Sequence, residues 1–387
     1  MEDRFQFRIH SSFRDFSSEE WNGLVAPDSV FQEYEFLALL EETGCIGGRD
    51  WFPQILSIRN SGILVALLPA YIRKDSYGEF IFDFQWANAF HRAGIPYYPK
   101  LTAAVPFTPV SGNRILISPN LSKEESSYCI KLLLNEISKL GFESDMSSIH
   151  VLFCKGEESA EAKALGFVPR LSHQYHWINR GYSNFEEFLG NLVKDRRKTI
   201  RQERKKISAQ NLKIQTLVGN DIQEKHAELY YQFYLDTHSK KWGQTYLNRE
   251  FFHRIFDSFR HRLHLVLAED GVGNPLGGSM NVYRGKYLFG RYWGAVQDIP
   301  FLHFECCYYQ LIDFAIENKM ERVEAGAQGE HKFLRGYEAV PMHSFHKIFH
   351  KEGSRVIYDY LEREIQMEQE NIKAYNSASP LKALRGV

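Results

Sequence analysis

The strongest constraint on the fold is that one plan is written twice in the chain. Trp51 to Arg59 reads as a strand, Asn60-Ser-Gly as a turn and Ile63 to Arg73 as a second strand. Ser76-Tyr-Gly is another turn, and Glu79 to Trp86 alternates like a third strand. The same order returns from Arg262. Arg262 to Ala268 reads as a strand, Glu269 to Pro275 as a turn, Leu276 to Tyr283 as a strand, Arg284-Gly-Lys as a tight turn and Tyr287 to Ala295 as a strand. The third members even share a pattern, Phe80-Ile-Phe-Asp-Phe-Gln-Trp-Ala against Tyr287-Leu-Phe-Gly-Arg-Tyr-Trp-Gly. A repeat at this spacing means two structural units of one design.

The elements after each meander match as well. Glu124 to Leu140 carries Cys129, Leu132, Leu133, Ile137 and Leu140 at helical spacing, and Gly141 supplies a stop signal. The strand Ile149 to Phe153 comes next, and Leu165-Gly-Phe-Val starts another. In the second half His303 to Lys319 is the helix, with Cys307, Gln310, Leu311, Phe314 and Ala315 inward, and Arg322-Val-Glu-Ala-Gly is the strand. The expected fold class is α/β with a mixed sheet, built in duplicate. The expected division is residues 1–180 for the first half, 181–218 for a basic helical connector, 219–357 for the second half and 358–387 for an acidic tail helix.

Composition bounds the function. The 387 residues carry a net charge of −1, so no global field attracts a polyanion, and DNA is not an expected partner. The five cysteines (Cys45, Cys129, Cys154, Cys306 and Cys307) form no CxxC, which points to reduced thiols and away from a disulfide or zinc framework. Met1 to His10 has no apolar run like that of a signal peptide, and no stretch approaches the ~20 apolar residues of a membrane span. The expected location is the cytoplasm.

Charge and small residues concentrate at Glu324-Ala-Gly-Ala-Gln-Gly-Glu-His-Lys-Phe-Leu-Arg-Gly-Tyr. Glycines let a backbone turn tightly and approach a ligand, and a strand–loop junction at a sheet's carboxyl edge is where α/β proteins build sites. There is no G-x-S-x-G elbow, no HExxH, and no strand-to-helix glycine loop for a dinucleotide. Neither a metal nor a permanently bound cofactor is expected. Acyl transfer to an amine fits better, because it needs a proton acceptor for the amine and donors for the carbonyl oxygen. The candidate proton acceptors are Glu305, Glu330 and His331. The candidate substrate-binding residues are Gln328, Lys332, Arg335, Arg291, Tyr292 and Trp293 in the second half, with Asp83 and Trp86 at the matching place in the first.

Lys194 to Lys206 holds eight basic residues against two acidic ones, a local charge of +6. Val193, Ile200 and Ile207 recur every seven residues and predict a stripe facing protein. Arg197, Arg201 and Arg204 share another face at i, i+4, i+7, and with Lys198 form a candidate phosphate-binding row.

The duplicated plan resembles tandem GNAT domains. The segment Phe185-x-x-Phe-Leu-x-x-Leu through Lys194-x-Arg-Arg-Lys-x-Ile-Arg-x-Glu-Arg is similar to one in FemABX-type aminoacyltransferases. Four further stretches resemble a FemAB-like family of predicted N-acyltransferases connected with peptidoglycan. They are His91-Arg-Ala-Gly-Ile-Pro-Tyr-Tyr-Pro-Lys-Leu, Val105-Pro-Phe-Thr-Pro-Val-Ser-Gly, Gln174-Tyr-His-Trp-Ile-Asn-Arg-Gly-Tyr and Gly326-Ala-Gln-Gly-Glu-His-Lys. The resemblance implies N-acyl or aminoacyl transfer to an amine, with a cell-wall precursor as acceptor. After Ala295 the chain runs Val296-Gln-Asp-Ile-Pro-Phe-Leu-His-Phe-Glu, without the glycines of a CoA pyrophosphate loop. FemABX-type proteins lack that loop as well, so the resemblance implies aminoacyl-tRNA as the favoured donor, with acyl-CoA as the alternative, and the basic helix is expected to meet tRNA phosphates. The competing expectation is a protein that recognises a cell-wall precursor or tRNA without catalysing transfer.

Overall fold

A computed structural model of the chain describes residues 4–155, 158–240, 244–326 and 329–385. The first half runs β1 (Phe5–His10), α1 (Ser18–Asn22), α2 (Tyr34–Glu42), β2 (Phe52–Asn60), β3 (Ile63–Arg73), α3 (Phe84–Arg92), β4 (Lys100–Ala103), β5 (Leu116–Ile117), α4 (Lys123–Glu143), β6 (Ser148–Cys154), α5 (Ser159–Ala164) and β7 (Val168–Ile178). The helices α6 (Phe185–Gly190) and α7 (Lys194–Ser208) come next. The second half then runs β8 (Lys213–Val218), α8 (Glu224–Lys240), α9 (Arg249–Ser258), β9 (Leu263–Glu269), β10 (Pro275–Arg284), β11 (Tyr287–Ala295), α10 (Leu302–Phe304), α11 (Gln310–Glu317), β12 (Arg322–Glu324), β13 (Glu338–Ile348) and α12 (Lys351–Ser377). A single π turn, Glu305–Tyr309, joins α10 to α11.

The compact units do not follow chain order. Met1–Ser172 and Pro341–Gln369 form unit 1, and His173–Val340 with Glu370–Val387 forms unit 2. In unit 1 the strands lie in the order β1-β2-β3-β4-β6-β13. The first three pairings are antiparallel, β4 runs parallel to β6, and β13 closes antiparallel. In unit 2 the order is β8-β9-β10-β11-β12-β7, with the same sequence of three antiparallel pairings, one parallel and one antiparallel. The duplication expected from the turns is therefore present strand for strand. The sixth strand of each unit comes from the other half of the chain.

Each sheet is covered as its apolar periodicity requires. In unit 1 Cys129, Leu133, Leu134 and Ile137 of α4 pack on Leu56, Ala66, Leu101 and Ile149. In unit 2 Leu311, Ile312 and Ala315 of α11 pack with Val266, Leu288 and Val323. Gly294 lets the backbone of α8 lie directly on β11, because a Cβ there would sit 2.0 Å from the Phe233 carbonyl oxygen.

Three expectations need correction. Glu79–Trp86 is not a strand; the third strand of the first meander is β4. Phe80 and Phe82 take left-handed φ of 60° and 55°, which breaks an extended run, and the Asp83 carbonyl instead starts α3 by accepting from the amides of Trp86 and Ala87. Gly141 does not end α4, which continues to Glu143. Its missing side chain makes room for Phe349, whose ring would lie 2.9 Å from a Cβ. The tail helix begins at Lys351 and is anchored by buried Ile357 and Leu361. No helix among the described residues is long and apolar enough to cross a membrane.

Candidate active site

The site begins where two parallel strands part. β11 pairs with β12 only from Tyr287–Phe289 to Arg322–Glu324, yet β11 continues to Ala295 against β10. Beyond Phe289 the β11–β12 register ends, and the Trp293 carbonyl accepts instead from the Thr237 hydroxyl of α8. Small residues keep the opening narrow-walled: a Cβ on Gly290 would lie 3.6 Å from both the Ala325 Cα and the Glu324 carbonyl oxygen.

The loop after β12 is tied to both sides of this opening. Lys332 is buried, and its Nζ donates to the carbonyl of Gly326 at 2.9 Å, on the β12 side. On the β11 side the Trp293 ring meets that of His303 (centroids 5.3 Å), and His303 meets His331 (5.8 Å). His331 sits in an aromatic box with Phe304 and Tyr308 at 5.8 and 5.6 Å. Its Nε2 shares a 2.8 Å hydrogen bond with the Tyr308 hydroxyl. Burial pushes the Tyr308 phenol well above its ordinary range, so it stays protonated and holds the ring.

Arg335 fixes the backbone of this turn. Its Nη1 donates to the His331 carbonyl at 2.8 Å, Nε to the Tyr309 hydroxyl at 2.9 Å, and Nη2 to both Glu203 oxygens at 2.8 and 3.0 Å. The guanidinium carbon lies 3.4 Å from the Phe304 ring centroid, and Tyr309 also donates to Glu203. Gly329 and Gly336, at φ 111° and 83°, make the turn possible; a Cβ on Gly329 would lie 2.5 Å from the His331 ring.

The family's sequence profile, described as peptidoglycan biosynthesis/recognition, matches residues 12–383. The chain belongs to the FemAB-like family. FemX is a structural neighbour, at TM-score 0.55 and 11% identity over 91% of this chain and 100% of its own. L-PGS from Bacillus licheniformis is another, at TM-score 0.50 and 10% identity over 85% of this chain and 95% of its own. At such identities the likeness is one of fold, here two GNAT-like halves in tandem. No curated protein matches the chain by sequence. Family and fold together make acyl or aminoacyl transfer the activity class of this FemAB-like chain.

The sequence-predicted residues fall into separate groups in the FemAB-like structure. His331, Lys332 and Arg335 lie together in the loop. Glu305 belongs to a neighbouring network, where its Oε1 accepts from Arg204 (3.0 Å) and Gln310 (2.8 Å), and Arg204 also meets Asp313 at 2.7 Å. Burial pushes the Glu305 carboxyl up, Arg204 pulls it back, and Oε2 has no hydrogen-bond partner. Glu330 is exposed and accepts only from the Tyr375 hydroxyl, at 3.3 Å, among the described residues. Trp293 borders the His303–His331 box, whereas Tyr292 packs edge-on against Tyr234 (5.2 Å), with Arg291 over its ring (5.3 Å). Gln328 lies outside the described residues. Asp83 and Trp86 are in unit 1: Asp83 accepts from Lys100 (2.6 Å) and Tyr97 (2.7 Å), and Trp86 packs on His150 and His346.

The three arginines of α7 do not form one free row. Arg204 turns inward to Glu305, Asp313 and the Phe185 ring, and Arg201 pairs with Glu186. Arg197 and Lys198, together with Lys194, Arg196 and Lys205, have no acidic partner among the described residues.

Sequence reasoning missed Glu203, Tyr308 and Tyr309. Glu203 is hidden in the basic run, where an acid looks like charge dilution. The tyrosines are displaced by the π turn, whose extra residue per turn shifts the buried face to Cys306, Tyr308 and Tyr309. It also missed Glu324 and His176, partners across the β12–β7 register, whose Oε2 and Nε2 lie 3.7 Å apart. Burial lowers His176 to about 4. Between pH 6.5 and 4 the unfolded imidazole is protonated and the folded one is not. Its contribution is thus complete above pH 6.5 and lost as pH falls towards 4, on the order of 3 kcal/mol. In chemical denaturation series, His176→Asn should flatten the acid decline over this window; an unchanged slope would refute the assignment.

Proposed function

We propose that this chain joins an acyl or aminoacyl group to the amine of a cell-wall precursor at the opening between β11 and β12, using aminoacyl-tRNA as donor. The observation that carries this reading is the parting of β11 from β12 with His331, held by Tyr308, on a loop tied to both sides. The acceptor amine attacks the donor's ester carbonyl, and His331 takes the proton that nitrogen loses. The ester C–O bond then breaks, the ribose hydroxyl leaves with that proton, and an amide remains. The Lys332 ammonium lies beside the Gly326 carbonyl, where a cation can stabilise the developing oxyanion. Arg335 acts as a positioning residue, each of its three nitrogens donating to a protein acceptor. Glu305, with one unpartnered oxygen, is the second candidate acceptor, and Glu330 is the most exposed.

The unpaired cations of α7 favour a polyanionic donor, and the cytoplasm, where charged tRNA is made, is the proposed location. The test is salt titration of tRNA binding by the wild type and by Arg197→Ala/Lys198→Ala. Loss of two phosphate contacts should reduce the log–log slope by about two. An unchanged slope would remove α7 from the reading, and thermal stabilisation by acyl-CoA but not by charged tRNA would make the donor a thioester.

A further inference from the structure

The segment between β3 and α3 is folded inside out. From 79 to 84 the burial alternates, with both carboxylates inside and two rings outside: Glu79 and Asp83 are 2 and 0% exposed, while Phe82 and Phe84 are 51 and 38% exposed. Tyr77, 51% exposed, packs at a tilt against Phe84 with centroids 5.6 Å apart. The ordinary arrangement would place the rings in the core and the carboxylates in water. The reversal is held from within unit 1. Glu79 accepts from Arg73 (2.6 Å), Lys100 (2.8 Å) and Thr102 (2.9 Å), and Asp83 from Lys100 and Tyr97. The left-handed φ at Phe80 and Phe82 adds strain of order 1–3 kcal/mol each, a cost that persists only where surroundings enforce it.

The charges next to the rings in sequence are mainly cationic once the buried and paired acids are set aside. Glu79 and Asp83 are the only acids between residues 76 and 99, and both are buried against cations. Asp75, just before, is bound by Arg73 at 3.1 Å and by the Tyr77 amide at 2.8 Å. Lys74 and Arg92 are exposed and have no acidic partner among the described residues. Beside the rings in sequence, the exposed charges are thus Lys74 and Arg92, together with a part-exposed Asp75 that Arg73 neutralises. Three half-exposed rings offer on the order of 300 Å² of apolar area. A stable protein interface needs about 800 Å² per partner, so the patch is too small for one. Rings with flanking cations instead match the headgroup layer of an anionic bilayer.

We propose that Tyr77, Phe82 and Phe84 form a membrane-docking surface, inserting into the headgroup layer of an anionic phospholipid bilayer while Lys74 and Arg92 meet lipid phosphates. The docking does not depend on the transfer reaction, and its test does not use activity. The full chain is sedimented with vesicles of equal phosphatidylglycerol and phosphatidylcholine, and with phosphatidylcholine alone. The wild type should pellet with the anionic vesicles. Phe82→Asn/Phe84→Ser should lower partitioning by about a hundredfold, roughly tenfold per ring, with an unchanged melting temperature because the rings are exposed. Lys74→Gln/Arg92→Gln should abolish the preference for phosphatidylglycerol. Failure of the wild type to pellet, or equal pelleting of the ring variant, would overturn the proposal. So would light scattering in which the ring variant splits an oligomer, since the patch would then belong to a second copy of the chain.

Discussion

His331→Ala is expected to slow transfer by about 10²–10⁴-fold, the usual contribution of a positioned proton acceptor. Tyr308→Phe keeps the box but removes the hydroxyl bonded to Nε2 at 2.8 Å. It should give a smaller loss, about tenfold. A His331→Ala enzyme with the wild-type rate would transfer the role to Glu305, whose carboxyl burial pushes upward.

The largest stability effect should come from Glu203→Ala. That change leaves the Arg335 guanidinium buried without its carboxylate, a loss of about 3–5 kcal/mol. Transfer should fall as well, since Arg335 holds the His331 carbonyl. Adding Arg335→Met removes the stranded charge and should restore most of the stability but not the rate. Denaturation of the single and double variants measures both. Wild-type stability in Glu203→Ala would mean that the pair does not brace the loop.

The fold was legible where local chemistry and burial agree. The hairpins at Gly62 and Gly285, with φ of 85° and 54°, carry turn residues that need no tertiary help, so the β2–β3 and β10–β11 pairs could be placed from the sequence. The failure at Glu79–Trp86 has the opposite cause. Alternation was present, but Lys100 and Arg73 reversed which face is inside, and nothing local announces a partner in a later strand. At the site, the glycine-spaced loop pointed to His331, Lys332 and Arg335 because small residues advertise a tight turn. The partners were not legible. Glu203 is 132 residues from Arg335, and the π turn that brings Tyr308 to His331 breaks the period on which helix reading rests.

The exchanged sixth strands have a consequence in time. Unit 1 lacks its closing strand until residues 341–348 exist, although β6 ends at Cys154. At ribosomal speeds of 5–20 residues per second, the intervening chain takes roughly 10–40 s to make. Throughout that interval β6 has an open edge awaiting a partner from the end of the message. A nascent chain stalled before Glu338 would therefore present an unfinished sheet, whatever the state of the residues already synthesised.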